Sequence, residues 1–316
     1  MAGSVGAKRL VLAVSLTSEI CAVISLKDLE FLTSLARHGH FARAAEECGV
    51  SQPAFSMRIR KLEERLNAAI VKRGNRFQGF TPEGEALMRH ARKIMDGMKL
   101  LEEEFRSAGG EVTGQLSLAV IPTAVGFAAQ AVGQLRAAHP AITVRLQTAS
   151  SLTIQQGLEK RVFDAGITYG EGVSPEMMRV EPLYEERYVL VAPKALAPRK
   201  TGTATWAEAA ELPLSLLEPS MQNRRILDLV FRDVGVVPSV VAETGEFTSS
   251  LLMAANGVAA TVIPEGLLHS LGEMQDIVAL PLGDPAVEKN VSLVTPHRLP
   301  GLSTVEALRN VLKLGA

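Results

Sequence analysis

Residues 51–61, SQPAFSMRIRK, hold side chains suited to contacting a nucleic acid. On a helix, Phe55, Ile59, Leu62 and Leu66 fall on one face and pack inward. That leaves Gln52, Ser56, Met57, Arg58, Arg60 and Lys61 on or beside the outer face. A glutamine can bond the edge of adenine in two places, and a serine can meet bases or phosphates. Arginine and lysine hold the phosphate backbone and set register. Ser51 is placed to cap this helix and Pro53 to occupy its first turn. Downstream, residues 71–76 and then Phe80 and Thr81 read as a two-stranded wing, which puts Arg73, Arg76 and Thr81 at the backbone. The blander reading is an amphipathic helix with a wet charged face. It suits Arg60 or Arg65 taken alone, whereas the whole arrangement favours double-stranded DNA.

A second set of chemical groups follows predicted strands in the rest of the chain. It comprises Thr123, Ser150, Ser151, Thr168, Ser220, Met221, Gln222, Thr248 and Pro264. Hydroxyls and free backbone N–H groups at helix starts suit a carboxylate or another anion. Each Ser or Thr taken singly reads as a helix cap; the interest lies in their convergence on one cleft. Asn223, Arg224 and Arg225 could supply ligand charge, although two adjacent arginines on a helix are more often surface residues.

Other chemistries find no support. The sequence has no GxSxG, P-loop, GxGxxG or HExxH pattern. Its six histidines are scattered, and Cys21 and Cys48 form no CxxC or Cys/His metal spacing. No enzyme activity, metal or cofactor is therefore expected. A thiol switch would need a cysteine pair in the C-terminal body, which has no cysteine. A pure solute-binding protein would leave residues 25–84 without a purpose.

The elements that must position these groups divide the chain in two. Its 316 residues, 47% hydrophobic and 21% charged, suit more than one globular domain. The formal charge of −1 conceals an asymmetry. Residues 25–93 carry 13 Lys/Arg against 8 Asp/Glu, and residues 94–316 carry 18 against 25. A basic front joined to an acidic body fits an anion-binding module coupled to something else.

In the front, helical stripes over 28–36 and 41–48, a Gly49-Val50 turn and the capped third helix make a helix-turn-helix. Then Leu87, Ala91, Ile94, Met98, Leu101 and Phe105 recur at alternating spacings of four and three. That is a heptad seam, expected to pair two copies of the chain. From 114 on, strands alternate with helices, giving a two-lobed α/β body with largely parallel sheets. Its crossovers are expected near 186–188 and 288–293, with ligand bound between the lobes. No run is long and clean enough to span a membrane, so a cytoplasmic location is expected.

The stretches FARAAEECGVSQPAFSMRIRKLEERL and FTPEGE strongly resemble the LysR-type transcriptional regulators. The match rests on Ala44-Ala45, Ser51-Gln52-Pro53, Ser56, Leu62-Glu63 and Thr81-Pro82-x-Gly84. The resemblance implies a winged helix-turn-helix over 25–84 (the motif proper at about 40–59) and a linker helix over 85–110. It implies an effector-binding domain over 111–316, similar in fold to periplasmic solute-binding proteins. Lobe I would be 111–187 and 290–316, and lobe II 188–289. Residues 1–24, whose apolar run is interrupted by Ser15, Thr17, Ser18 and Glu19, read on their own composition as a poorly ordered extension. The implied function is transcription regulation by a dimer or tetramer on a dyad operator, switched by a small anionic effector and acting through RNA polymerase. Three departures stand out. His40 replaces the usual capping serine, Val71 the usual aromatic before the wing arginine, and Met57 a residue more often polar.

Overall fold

The computed structural model describes residues 24–72, 77–106, 111–198, 202–272, 274–297 and 301–313. The expected extension (Ile24 apart) and the wing residues Arg73 and Arg76 lie outside the described residues. The chain divides into two compact units, with the boundary between Phe105 and Arg106.

The first unit begins with helix α1 (Leu26–His38). Ser25 and Asp28 cap each other reciprocally at its start, and Gly39 ends it at φ 61°. Helix α2 (Phe41–Glu47) is capped by His40, whose Nδ1 accepts from the Ala42 amide at 3.2 Å, so the histidine serves where a serine is usual. Gly49, at φ 67°, turns the chain into α3 (Gln52–Leu66), which Ser51 caps. Helix α4 runs over Pro82–Arg106. Phe31 stacks on Phe55 at 4.7 Å between ring centres, and Leu32, Leu35 and Leu62 are fully buried around them. Of the expected wing, the described residues show an antiparallel bridge between Val71 and Phe80. A Cβ on Gly84 would lie 2.2 Å from the Ile70 carbonyl oxygen, so glycine is required where α4 crosses that segment.

The heptad stripe on α4 serves more than one purpose. Ala91 is fully buried in this unit's own core and Leu87 packs against it, together with Met88 and Met95. Leu87 and Ala91 therefore depart from the expected seam: the first turns of α4 roof the helix-turn-helix. Further along, Ile94, Leu101 and Phe105 are exposed and Met98 is half-buried.

The second unit opens with β1 (Gly114–Val120), a 3-10 turn at Pro122–Ala124, α5 (Val125–Ala138) and β2 (Ile142–Thr148). Next come α6 (Ser151–Glu159), β3 (Ala165–Tyr169) and the long β4 (Met178–Pro193). After β5 (Ala204–Thr205) come α7 (Trp206–Ala210), β6 (Pro213–Leu217), α8 (Gln222–Val234) and β7 (Ser239–Thr244). The chain closes with α9 (Phe247–Ala255), β8 (Thr261–Pro264), α10 (Glu265–Leu271), β9 (Ile277–Gly283), β10 (Glu288–Pro296) and α11 (Ser303–Val311).

The main sheet runs β2-β1-β3-β10-β4-β9-β5, with β8 also on β4; β6 and β7 pair separately. It is mixed, not largely parallel as expected. β10 lies antiparallel to β3 and β4, and β4 antiparallel to β8 and β9. The reason is that β4 and β10 are the two interlobe connections, and they run side by side in opposite directions. β4 pairs with β10 as far as Arg187 opposite Glu288, then with β8 and β9 from Tyr188 on. Three further elements, β5, α10 and β9, were not expected. α10 is a short helix that follows β8 without a loop, and β9 carries a proline, Pro281, within an interrupted pattern.

Candidate functional sites

On the first unit, Ser51, Gln52, Pro53, Met57, Arg60 and Lys61 are exposed and Ser56 is half-buried, so the outer face of α3 is available to a partner. Arg58 differs. Its Nε donates to Asp28 at 2.9 Å, its Nη2 reaches Ser25 Oγ at 3.2 Å, and its guanidinium lies over the Phe31 ring. Arg65 meets the same carboxylate at 2.7 Å. Burial pushes the Asp28 carboxyl upward, but the hydrogen bonds from Ser25 and Arg65 prevail and hold it below its ordinary range. Arg58 thus ties α3 to α1, and any phosphate contact would have to share it. Thr81 is a correction to the DNA-facing set. Its hydroxyl donates to the Ala69 carbonyl at 2.6 Å and accepts from the Gly84 amide at 3.0 Å, which fixes the start of α4.

In the second unit, one crevice between the lobes brings together Thr123 from the 3-10 turn, Ser150 and Ser151 from the start of α6, and Met221, Gln222 and Asn223 from the start of α8. Ile121, Pro122, Tyr169 and Leu217 complete its walls, and it encloses about 10 Å³. Four of its buried polar atoms make no close hydrogen bond, namely Thr123 Oγ1, Ser151 Oγ and both amide atoms of Asn223, although Thr123 stands near enough to Glu186 and Tyr169, and Asn223 to Tyr188, to favour their charged forms. Buried polar groups are normally satisfied, so such a cluster asks for a ligand or water. Ser150 is committed to capping, accepting from the Thr153 amide at 3.3 Å.

Four expected residues do not line this crevice. Thr168 and Tyr169 are adjacent on β3, and adjacent strand residues face opposite ways, so the tyrosine reaches the crevice instead. Ser220 and Thr248 are exposed and absent from its walls. Pro264 lines a different cavity. Arg224 turns away to Asp228, Glu243 and the Leu217 carbonyl, each within 2.9 Å, and Arg225 bonds Gln222.

Sequence reasoning passed over the group behind the crevice. Glu186 Oε1 accepts from Tyr169 at 2.8 Å and from Tyr188 at 3.2 Å. Burial raises its carboxyl to about 7, against the opposing pull of the Tyr169, Thr123 and Tyr188 hydroxyls. Burial also pushes the Tyr169 hydroxyl well above its ordinary value, helped by the neighbouring carboxylate. Nothing local marked it, because Glu186 stands in a charged run, Glu185-Glu186-Arg187, at the predicted crossover.

Two family descriptions match in succession. "Bacterial regulatory helix-turn-helix protein, lysR family" covers residues 26–85, and "LysR substrate binding domain" covers 109–315. The chain belongs to the LysR family of transcriptional regulators. It is a DNA-binding regulator with an effector-binding domain, and not an enzyme. Among LysR-family relatives, the hydrogen peroxide-inducible genes activator of Haemophilus influenzae is 28% identical over 281 residues, spanning 86% of this chain and 90% of that one. OxyR of Escherichia coli is 26% identical over 292 residues, spanning 92% and 95%. A full-length OxyR variant from Pseudomonas aeruginosa shares the fold with a TM-score of 0.72 at 22% identity, covering 92% of this chain and 95% of its own. The LysR-family regulator CbnR does so with a TM-score of 0.61 at 19%, covering 92% and 98%. Among the described residues, no helix is long and apolar enough to cross a membrane.

Proposed function

We propose that this LysR-family chain reads a dyad operator as a dimer or tetramer and is switched by a small carboxylate held between the lobes of its C-terminal domain. The observation that carries the effector reading is the crevice: two helix starts, α6 and α8, meet there with Thr123, Ser151 and Asn223 unpaired. Backbone N–H groups at helix starts and neutral donors suit an anion's oxygens. Since the crevice holds about 10 Å³, roughly one water, a larger effector enters only as the lobes part. Effector binding therefore favours a wider lobe angle. In an oligomer that angle sets the spacing of the α3 helices, the bend of the DNA and thereby contact with RNA polymerase. The exposed Ile94, Leu101 and Phe105 on α4, with Met98, form the seam that joins two copies. Gln52 and Ser56 read bases, while Arg60 and Lys61, with Arg73 and Arg76, hold phosphates. Such a regulator works in the cytoplasm.

A peroxide-responsive reading takes its motive from the relatives' names. Against it, the C-terminal domain has no cysteine. Burial raises the Cys48 thiol above its ordinary value, which disfavours the reactive thiolate. The test is a gel shift of the full chain on the DNA upstream of its own gene, run with a panel of small carboxylates and with hydrogen peroxide. A salt-sensitive shift altered by a carboxylate supports the proposal. A shift altered by peroxide alone, or none at all, overturns it.

A further inference from the structure

Thr123 also borders a second and larger cavity, of about 570 Å³, enclosed by α5, the 184–187 segment of β4, and α10. That volume suits a small organic ligand. Its walls differ in character from the crevice. Phe127 and Tyr184 present rings 4.9 Å apart, and Leu267 and Pro264 extend the apolar surface. The charge is predominantly acidic, from Glu185, Glu186 and Glu265. Of the basic side chains on the wall, Arg187 is already paired with Glu288 at 2.7 Å, and His269 contributes an imidazole against the three carboxyl groups. Glu186 is 2% exposed; Oε1 takes both tyrosine hydroxyls, and Oε2 makes no close hydrogen bond, the Thr123 hydroxyl being the neighbouring neutral donor. An unpaired carboxylate oxygen in so buried a place demands a donor.

We propose that this cavity is a second ligand site that takes a protonated amine carried on a flat apolar body, with the ammonium on Glu186 Oε2 and the body against Phe127 and Tyr184. An ammonium supplies the missing donor and the charge the walls lack, and the two rings add attraction for a cation. A carboxylate would meet three acidic residues there, so the site selects against the ligand class assigned to the crevice. Burial holds Glu186 near half-ionised at neutral pH, and an ammonium beside it favours the charged form. Because α5 belongs to one lobe and α10 follows β8 in the other, an occupant touches both lobes and gives the regulator a second input. This inference does not depend on the carboxylate reading of the crevice.

The experiment is calorimetric titration of the full chain with phenethylamine, phenethyl alcohol and phenylacetate, three ligands with one body and different charge. The expected result is one phenethylamine per chain, with phenethyl alcohol at least tenfold weaker. Glu186→Gln is expected to weaken the amine at least tenfold. Gln130→Trp, at the exposed rim, is expected to weaken it with Glu186 intact, which guards against a folding defect in the first variant. No measurable binding of phenethylamine at millimolar concentration overturns the proposal. So does an amine affinity untouched by both variants, or a phenylacetate affinity that equals the amine's and depends on Glu186.

Discussion

The helix-turn-helix and the interlobe region treat their buried polar groups in opposite ways. In the first, Asp28 is 1% exposed yet accepts from Ser25, Arg58 and Arg65. Glu63 accepts from the amides of Ile70 and Val71 at 2.8 and 3.0 Å. In the second, Thr123, Ser151, Asn223 and one oxygen of Glu186 are buried and left waiting. A satisfied network fixes one geometry, which is what a DNA-reading surface needs. An unsatisfied one costs stability that a ligand can return, which is what a sensor needs. The contrast separates a part built to hold still from a part built to respond.

The sharpest way to break this comparison is Asp28→Ala, which strands two arginines and removes a cap. It should cost the helix-turn-helix about 3 kcal/mol, since loss of one partner of a buried pair is expensive and exposed arginines recover some of it. Trp206, the chain's one tryptophan, is buried in the sensor and donates to the Pro285 carbonyl at 2.9 Å. Ellipticity should therefore show an early urea transition that tryptophan fluorescence does not. A matching shift in fluorescence would mean the units are not energetically separate.

Next is Glu186→Gln. The Glu186 carboxyl lies at about 7 in the fold against an ordinary 4.5, so its folded state is favoured at pH below about 4.5 and loses that advantage as pH rises through about 7. The variant should thus gain about 3 kcal/mol over wild type at pH 8 and nothing at pH 4. A pH-independent difference by Trp206 fluorescence would show that burial does not raise the Glu186 carboxyl. Gln52→Ala comes third: it should weaken operator binding by about 1–3 kcal/mol and relax preference at one base pair, read by gel shifts on single-base operator variants. The smallest effect on stability should be Thr123→Val. Removing a hydroxyl that makes no close hydrogen bond should leave melting within about 1 kcal/mol of wild type while abolishing the carboxylate response. Survival of the response would remove Thr123 from the site.

Much of the first unit was legible because its determinants are local. Caps, the Gly49 turn and the stripe of Phe55, Ile59 and Leu62 each sit within a few residues of what they specify. The seam on α4 was legible as a stripe but not as to ownership. Spacing places Leu87 and Ala91 on one face, and does not say whether that face meets a partner or its own module. The crevice was half legible, since loops after strands are where α/β folds put ligands. Its Asn223 was obscured by two arginines that follow it. The Tyr169–Glu186–Tyr188 cluster could not be read at all. It depends on register, because β10 lies between β3 and β4 and brings Val291 opposite both Tyr169 and Tyr184.

That same register has a mechanical consequence. The two interlobe connections are a hydrogen-bonded antiparallel ribbon rather than independent strings, and its last rung, Arg187 opposite Glu288, is clasped by a side-chain ion pair. Such a ribbon resists sliding, because a shift by one residue would break the whole ladder and reverse every side chain. It yields far more readily to twisting, to which strand pairs are disposed, and its ladder already slips at Val291 and Ser292. Motion of one lobe against the other should therefore behave as rotation about a torsion bar, so that a displacement of the size of one small ligand is delivered as an angle rather than as a gap.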